Sequence, residues 1–363
     1  MNEDAPSNDQ KSGTLGRLVT GLLAVALFVL GLQLLRGAGE TLGPWLKTEL
    51  RRVISNDASA LGASWLGSYL LMNGSVVAAV SLTFFEQAVV DASEVFIMIV
   101  GSRLGAAGIV VAVGAVDYFQ REVFSLRRAC AVGVLAFLVT HLQTIPATLA
   151  GYLPLYLAGD AFVSMLDFSA ASLPVPPGVG LVSSYLLEAV GPVIAAIGGV
   201  ALLFAALNLF DRLFDEIDVE AARRRYFRFV RNRWWAFLLG LAVTTLTLSV
   251  AFSLSVVVPL YNRGHTSERE LIPYILGANI GTMIDTLLVA FLVDKPGALA
   301  VVALFLVATA LASLLLLVFH NFAEWFAGGL LEWIVSETGH FATYLVSLAV
   351  VPALILAVGM LVG

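Results

Sequence analysis

Nine apolar segments constrain this chain more than any other feature. They are Leu15–Leu35, Leu61–Phe85, Val95–Val116, Ala129–Leu157, Leu181–Phe210, Trp234–Leu260, Leu271–Val293, Ala298–Phe319 and Phe341–Val362. A helix needs about 20 apolar residues to cross the hydrocarbon of a bilayer. Every backbone N–H and C=O there must be paired inside the element, so such segments fold as helices. The expected fold class is therefore an all-α integral membrane protein. Composition agrees, with 59% hydrophobic and 13% charged residues over 363 positions, far from the balance of a water-soluble domain.

Charge sets the expected orientation. Met1–Gly13 is polar and acidic and lacks the basic region and cleavage site of a signal peptide, so residues 1–14 read as a cytoplasmic tail ahead of a retained first span. Between Leu157 and Leu181 the chain has no Lys or Arg and carries Pro174, Pro176 and Pro177, which marks an outer loop. Between Phe210 and Trp234 it carries Arg212, Arg223, Arg224, Arg225, Arg228, Arg231 and Arg233, with Tyr226, Phe227 and Phe229 interleaved. A basic run joining two membrane segments belongs on the cytoplasmic side, where it lies on anionic headgroups as a short interfacial helix; no nucleic-acid partner is needed to explain it. Residues 211–233 then form a basic linker between a first transmembrane half, 15–210, and a second, 234–363. The single Cys130 excludes an intrachain disulfide and reads as a small buried hydrophobe.

Within the seventh segment stands Gly277-Ala278-Asn279-Ile280-Gly281-Thr282. An amide, a hydroxyl and two glycines at that depth are costly unless the helix opens there onto a polar cavity. The two glycines also form a Gly-x-x-x-Gly pair, which lets membrane helices approach closely, and both readings stand. The string resembles the GANIGT motif of the sodium-dependent phosphate cotransporter family, the prokaryotic relatives of the type II sodium/phosphate cotransporters.

An offset of 176 residues lays the two halves over each other without a gap, pairing Glu94 with Glu270, Gly101 with Gly277 and Gly105 with Gly281. Identities are sparse, so the case for a repeat rests on motif position and matched hydropathy. The resemblance implies a second motif, QSSS, about thirty residues before each GANIGT-like string at the tip of a re-entrant hairpin. The matching positions here are Met72-Asn73-Gly74-Ser75 and Leu248-Ser249-Val250-Ala251, with no glutamine in either copy. If Leu61–Phe85 and Trp234–Leu260 are re-entrant and the other seven segments cross, Gln120–Arg128 and Arg212–Arg233 fall inside, the Pro-rich loop outside, and the hairpins enter from opposite faces. The expectation is an inverted-repeat transporter with two re-entrant hairpins and two broken helices. It leaves Arg36, Lys47, Arg51 and Arg52 outside, where the amphipathic stretch Thr41–Ile54 would have to lie flat.

Sodium is a hard cation that takes oxygen ligands. A helix broken at Gly277 to Thr282 would free carbonyls beside the Asn279 amide and the Thr282 hydroxyl, with Asp285 one helical turn on to coordinate sodium or carry a proton; its bland alternative is a paired structural charge. An anion such as phosphate wants hydroxyls, N–H donors or a guanidinium, for which Ser75, Ser249 and Ser253 are candidates. The first-half string reads Gly101-Ser102-Arg103-Leu104-Gly105-Ala106, placing Arg103 where the second half has Asn279. Arg103 is then an anion clamp, a built-in positive charge replacing a bound cation, or a snorkelling residue paired with Glu94 or Asp91. Glu94 and Glu270 suit the N-terminal ends of their helices. Glu188, His141, Gln143 and His320 also lie in or near apolar segments; the two histidines read as packing or interface groups, and nothing has metal-ligand spacing.

No Ser/His/Asp order, His-Glu-x-x-His string or Gly-rich phosphate loop supports an enzyme or an ATP-driven pump. The expected function is sodium-coupled symport of inorganic phosphate across the plasma membrane, with sodium as coupling ion and no other cofactor. The alternatives are a divergent member moving another small anion or coupled to protons, and a transport-inactive membrane scaffold.

Overall fold

The computed structural model describes residues 8–120, 125–166, 176–214, 232–250, 253–254, 257, 261 and 266–363. The run from Arg223 to Arg231, Pro174 and Ala251 lie outside them. The described secondary structure is helical: α1 Asn8–Val53, α2 Asp57–Leu71, α3 Gly74–Glu86, α4 Ala92–Gln120, α5 Leu126–Met165, α6 Pro177–Val190, α7 Pro192–Phe214, α8 Arg233–Thr247, α9 Glu268–Gly281, α10 Met283–Leu292, α11 Ala298–Val318, α12 His320–Ala323, α13 Gly329–Ser336 and α14 Thr338–Val362. A π-helical turn, Glu324–Gly328, joins α12 to α13.

Seven stretches are long and apolar enough to cross a membrane: Gly16–Val53, Ala92–Val116, Leu126–Gly159, Pro192–Phe210, Glu268–Leu292, Ala298–Val318 and Thr338–Val362. They fall in the seven segments expected to cross, and they make the chain a multi-pass membrane protein. Large apolar side chains face outward along them, among them Leu311 at 61% exposure and Val346 at 61%. Such surfaces suit hydrocarbon and not water. Exposed Trp234, Trp235, Trp325 and Trp333 are of the kind that anchors at headgroup level.

Three boundaries differ from expectation. The stretch Thr41–Ile54 is no separate element, because α1 runs on through Pro44 to Val53. Leu181–Phe210 is two helices, since Gly191 adopts φ 78° and Pro192 opens α7. The first of the two broken helices is also absent: α4 passes through Gly101–Ala106 without interruption.

Contacts divide the chain into two units, Met1–Thr41 with Val175–Asp218, and Leu42–Pro174 with Val219–Gly363. In the smaller, Gly31 and Gly199 meet so closely that a Cβ on either would lie 2.8 Å from the other's carbonyl oxygen. Leu34, Ala38 and Ala195 form its core beside them.

In the larger unit the elements recur at an offset of 176. Helices α2 and α8 each have 15 residues, are capped by Asn56 and Asn232, and end at left-handed residues, Met72 (φ 49°) and Leu248 (φ 55°). Helices α4 and α9 begin at Ala92 and Glu268, 176 apart, each behind a carboxylate that folds back on its own first turn. Glu94 Oε2 accepts from Asp91 N at 2.9 Å, and Glu270 Oε2 accepts from Ser267 N at 3.2 Å. The helix contacts recur as well. A Cβ on Gly101 would lie 2.6 Å from the Leu61 carbonyl oxygen, and one on Gly277 2.0 Å from that of Phe237. For Gly105 and Gly281 the obstructing carbonyls are those of Trp65 and Leu241, each 2.7 Å away. Only hydrogen fits at these four crossings, which is the close-approach use of Gly-x-x-x-Gly.

Candidate substrate and ion site

The Gly277–Thr282 string, the second-half copy of the GANIGT-like motif, lies at the junction of α9 and α10. Thr282 alone separates the two helices, with φ −67° and ψ −18°, and its N–H still donates to the Ala278 carbonyl at 3.1 Å. Gly277–Gly281 therefore stay helical, and the opened stretch of free carbonyls expected across the motif is reduced to a one-residue turn. The glycines make room for α8, so the packing use accounts for them without an opening.

Two polar clusters meet at Thr282. In the first, Asn279 Nδ2 donates to Gln143 Oε1 at 2.7 Å and to Thr140 Oγ1 at 3.0 Å. Gln143 Nε2 in turn donates to the Leu276 carbonyl at 3.2 Å and to Ser313 Oγ, whose hydroxyl donates to the Thr309 carbonyl at 2.7 Å. Thr140, Gln143, Thr309 and Ser313 are buried, and Asn279 is half-buried. Helices α5, α9 and α11 thus share one chain of hydrogen bonds inside an apolar core. A buried network of this kind is costly unless its members are satisfied, and most of these are.

In the second cluster the Thr282 hydroxyl donates to the Asn279 carbonyl at 3.0 Å, while the Thr282 carbonyl faces Arg103 Nη1 at 3.5 Å. Arg103 Nη2 lies 3.4 Å from Asp285 Oδ1 and donates to Thr286 Oγ1, which donates to the same Asp285 oxygen at 2.8 Å. Arg103 and Asp285 are 8% and 2% exposed, so this is a buried ion pair joining the first motif to the second. The partner is neither Glu94 nor Asp91, the two named for a structural pairing of Arg103. Glu94 is taken by Arg51, and Asp91 caps α4.

The proposed anion ligands are dispersed. The N–H of Ser75 donates to Asn73 Oδ1 at 2.9 Å in the first turn of α3. That turn sits on α4 beside Arg103, because a Cβ on Gly74 would meet the Ser102 carbonyl at 2.5 Å and the Ala106 Cβ at 2.8 Å. Ser249 is half-buried just past the left-handed Leu248. Ser253 is fully buried, accepting from Thr244 Oγ1 at 2.9 Å and sharing a 2.7 Å bond with the Tyr274 hydroxyl. Among the other polar groups, His141 binds the Phe137 carbonyl and packs on the Phe137 and Trp65 rings, a packing role. Glu188 is exposed. A cavity of about 630 Å³ in the larger unit is lined by Arg51, Phe85, Asp91, Ser164 and Lys295 and by none of the candidate ligands.

Thr140, Thr286, Ser313, Thr244 and Tyr274 escaped the sequence reading. The available signal was spacing. Thr140 with Gln143, and Thr309 with Ser313, are polar pairs on one face of an otherwise apolar helix.

A family model described as Na+/Pi-cotransporter matches residues 202–328, a span that holds α8 through α11 and the Gly277–Thr282 motif. No curated protein and no solved structure matches the chain. The match bears out the resemblance carried by that motif, and the family it describes is one of transporters and not of enzymes.

Proposed function

We propose that the chain is a secondary active transporter that carries inorganic phosphate with sodium across the plasma membrane by alternating access. One observation carries the reading: the span matching the cotransporter family contains the stretch Asn279–Thr286, where polar side chains gather between buried apolar helices. Sodium is taken there by oxygens of Asn279, Thr282 and Asp285, with Gly277 and Gly281 letting α8 close over the site. The anion is taken by Arg103, Ser75 and Ser249, and by Ser253 in a state where its bonds to Thr244 and Tyr274 open. The recurrence of caps, left-handed turns and glycine crossings at an offset of 176 supports an inverted repeat. In it α2 and α3, and α8 with the segment after it, are re-entrant hairpins entering from opposite faces. Residues 1–14 and 211–233 lie on the cytoplasmic side of the two halves.

A second reading, coupling to protons or transport of another small anion, is favoured by Asp285 Oδ2, which is buried without a hydrogen-bond partner where a carboxyl proton would sit. Uptake of radiolabelled phosphate into proteoliposomes separates the cases. Accumulation driven by a sodium gradient is expected. Accumulation on a proton gradient alone selects proton coupling, and none under either gradient leaves transport of another small anion or a transport-inactive scaffold.

A further inference from the structure

The contact between Arg103 and Asp285 has the geometry of a latch that can open. A tightly closed guanidinium–carboxylate pair is frequently bidentate, with two short parallel bonds. Here one contact reaches 3.4 Å, and both Asp285 Oδ2 and Arg103 Nε are buried without a hydrogen-bond partner. The Thr282 carbonyl and the Asp285 carboxylate, which hold Arg103, are also oxygens of the kind a partly dehydrated sodium ion takes, and they lie one turn apart on a single helix face. Thr286 acts as a clip, its hydroxyl accepting from Arg103 while donating to Asp285.

The geometry points to a charge exchange. Sodium and the Arg103 guanidinium compete for Asp285, and sodium that binds there releases Arg103 to an oxoanion arriving from the α3 side. This rests on the symport reading above and adds to it the group that sodium displaces. Burial of charge couples the two events, because an unpaired ion in this environment is strongly unfavourable. With the site empty, Asp285 is neutralised by Arg103. With sodium on Asp285, the freed guanidinium requires a monovalent oxoanion, and the site returns to neutrality only when both ligands are present.

The test is a sodium titration, read by thermal unfolding of the purified full-length chain in detergent, with choline as the inert replacement and no phosphate. If the latch is closed in about nine molecules of ten, removing it strengthens the apparent sodium affinity about tenfold. Arg103→Gln should show that shift, and the near-isosteric Thr286→Val, which removes only the clip, a smaller one in the same direction. A sodium response present in the variant and missing from the wild type is the same shift at its extreme. An affinity that is unchanged, weaker or absent in the variant overturns the exchange. Arg103→Gln decides if it folds, and Thr286→Val decides otherwise. Phosphate uptake by wild-type proteoliposomes is scored separately, so loss of the symport reading would not be mistaken for loss of the latch.

Discussion

Met72 and Leu248 stand 176 residues apart and adopt the same left-handed conformation, φ 49° and 55°, each closing a 15-residue helix. Neither residue type favours positive φ, so each turn is held against a local preference.

If those turns are the tips of hairpins that enter and leave on one face, their flanks share a side of the membrane. Cysteines replacing the exposed Ala58 and Ala88 should both label from outside in a background lacking Cys130, and cysteines replacing the exposed Asn232 and Ser267 should both label from the cytoplasm. Members of a pair on opposite faces would show a crossing segment and remove the inverted-hairpin architecture.

Gly277→Ala should destabilise the fold by about 1–3 kcal/mol, because its Cβ would fall 2.0 Å from the Phe237 carbonyl oxygen and the helices would have to part. Gly329→Ala, with open space around its Cβ, should be neutral or mildly stabilising. Thermal unfolding in detergent compares the two, and equal effects would remove the close-approach role.

Asn279→Ala and Thr282→Ala each remove a side-chain oxygen beside the α9–α10 turn. The sodium concentration for half-maximal phosphate uptake should rise about tenfold in each, the equivalent of ~1.4 kcal/mol. Unaltered sodium dependence in both would relocate the cation site.

Gln143→Leu keeps side-chain bulk and removes three hydrogen bonds at once. Leaving the Asn279 amide and the Leu276 carbonyl without this partner should cost about 1–3 kcal/mol, read as a lower Tm. A variant as stable as the wild type would mean that water already satisfies these groups.

Spacing made the 176-residue offset legible, because glycines at helix crossings and carboxylates at helix starts are dictated by backbone geometry. Gly101 with Gly277 and Glu94 with Glu270 carry that signal, and the structure places each pair in equivalent contacts. The left-handed turns had no signal, since Met and Leu announce nothing about φ. The expected break in α4 failed for a related reason: the glycines that prompted it serve packing. The Arg103–Asp285 pair was hidden by distance in the chain. Glu94 lies nine residues from Arg103 on the same helix, about 13.5 Å along the axis and beyond easy reach. The partner comes from the other copy of the motif, 182 positions away, where the matching first-half residue is Ile109.

The hydrogen bonds around Asn279 also give its amide a direction. The Leu276 carbonyl can only accept, so it holds the Nε2 end of Gln143 and turns the Oε1 end toward Asn279. That oxygen claims the Asn279 Nδ2, and Thr140 claims it as well. A group that elsewhere greets either sign of charge is left with its oxygen as the end to offer. In the proposed sodium site, a preference for a positive ion would thus be set one helix away, by a glutamine that need not touch the ion.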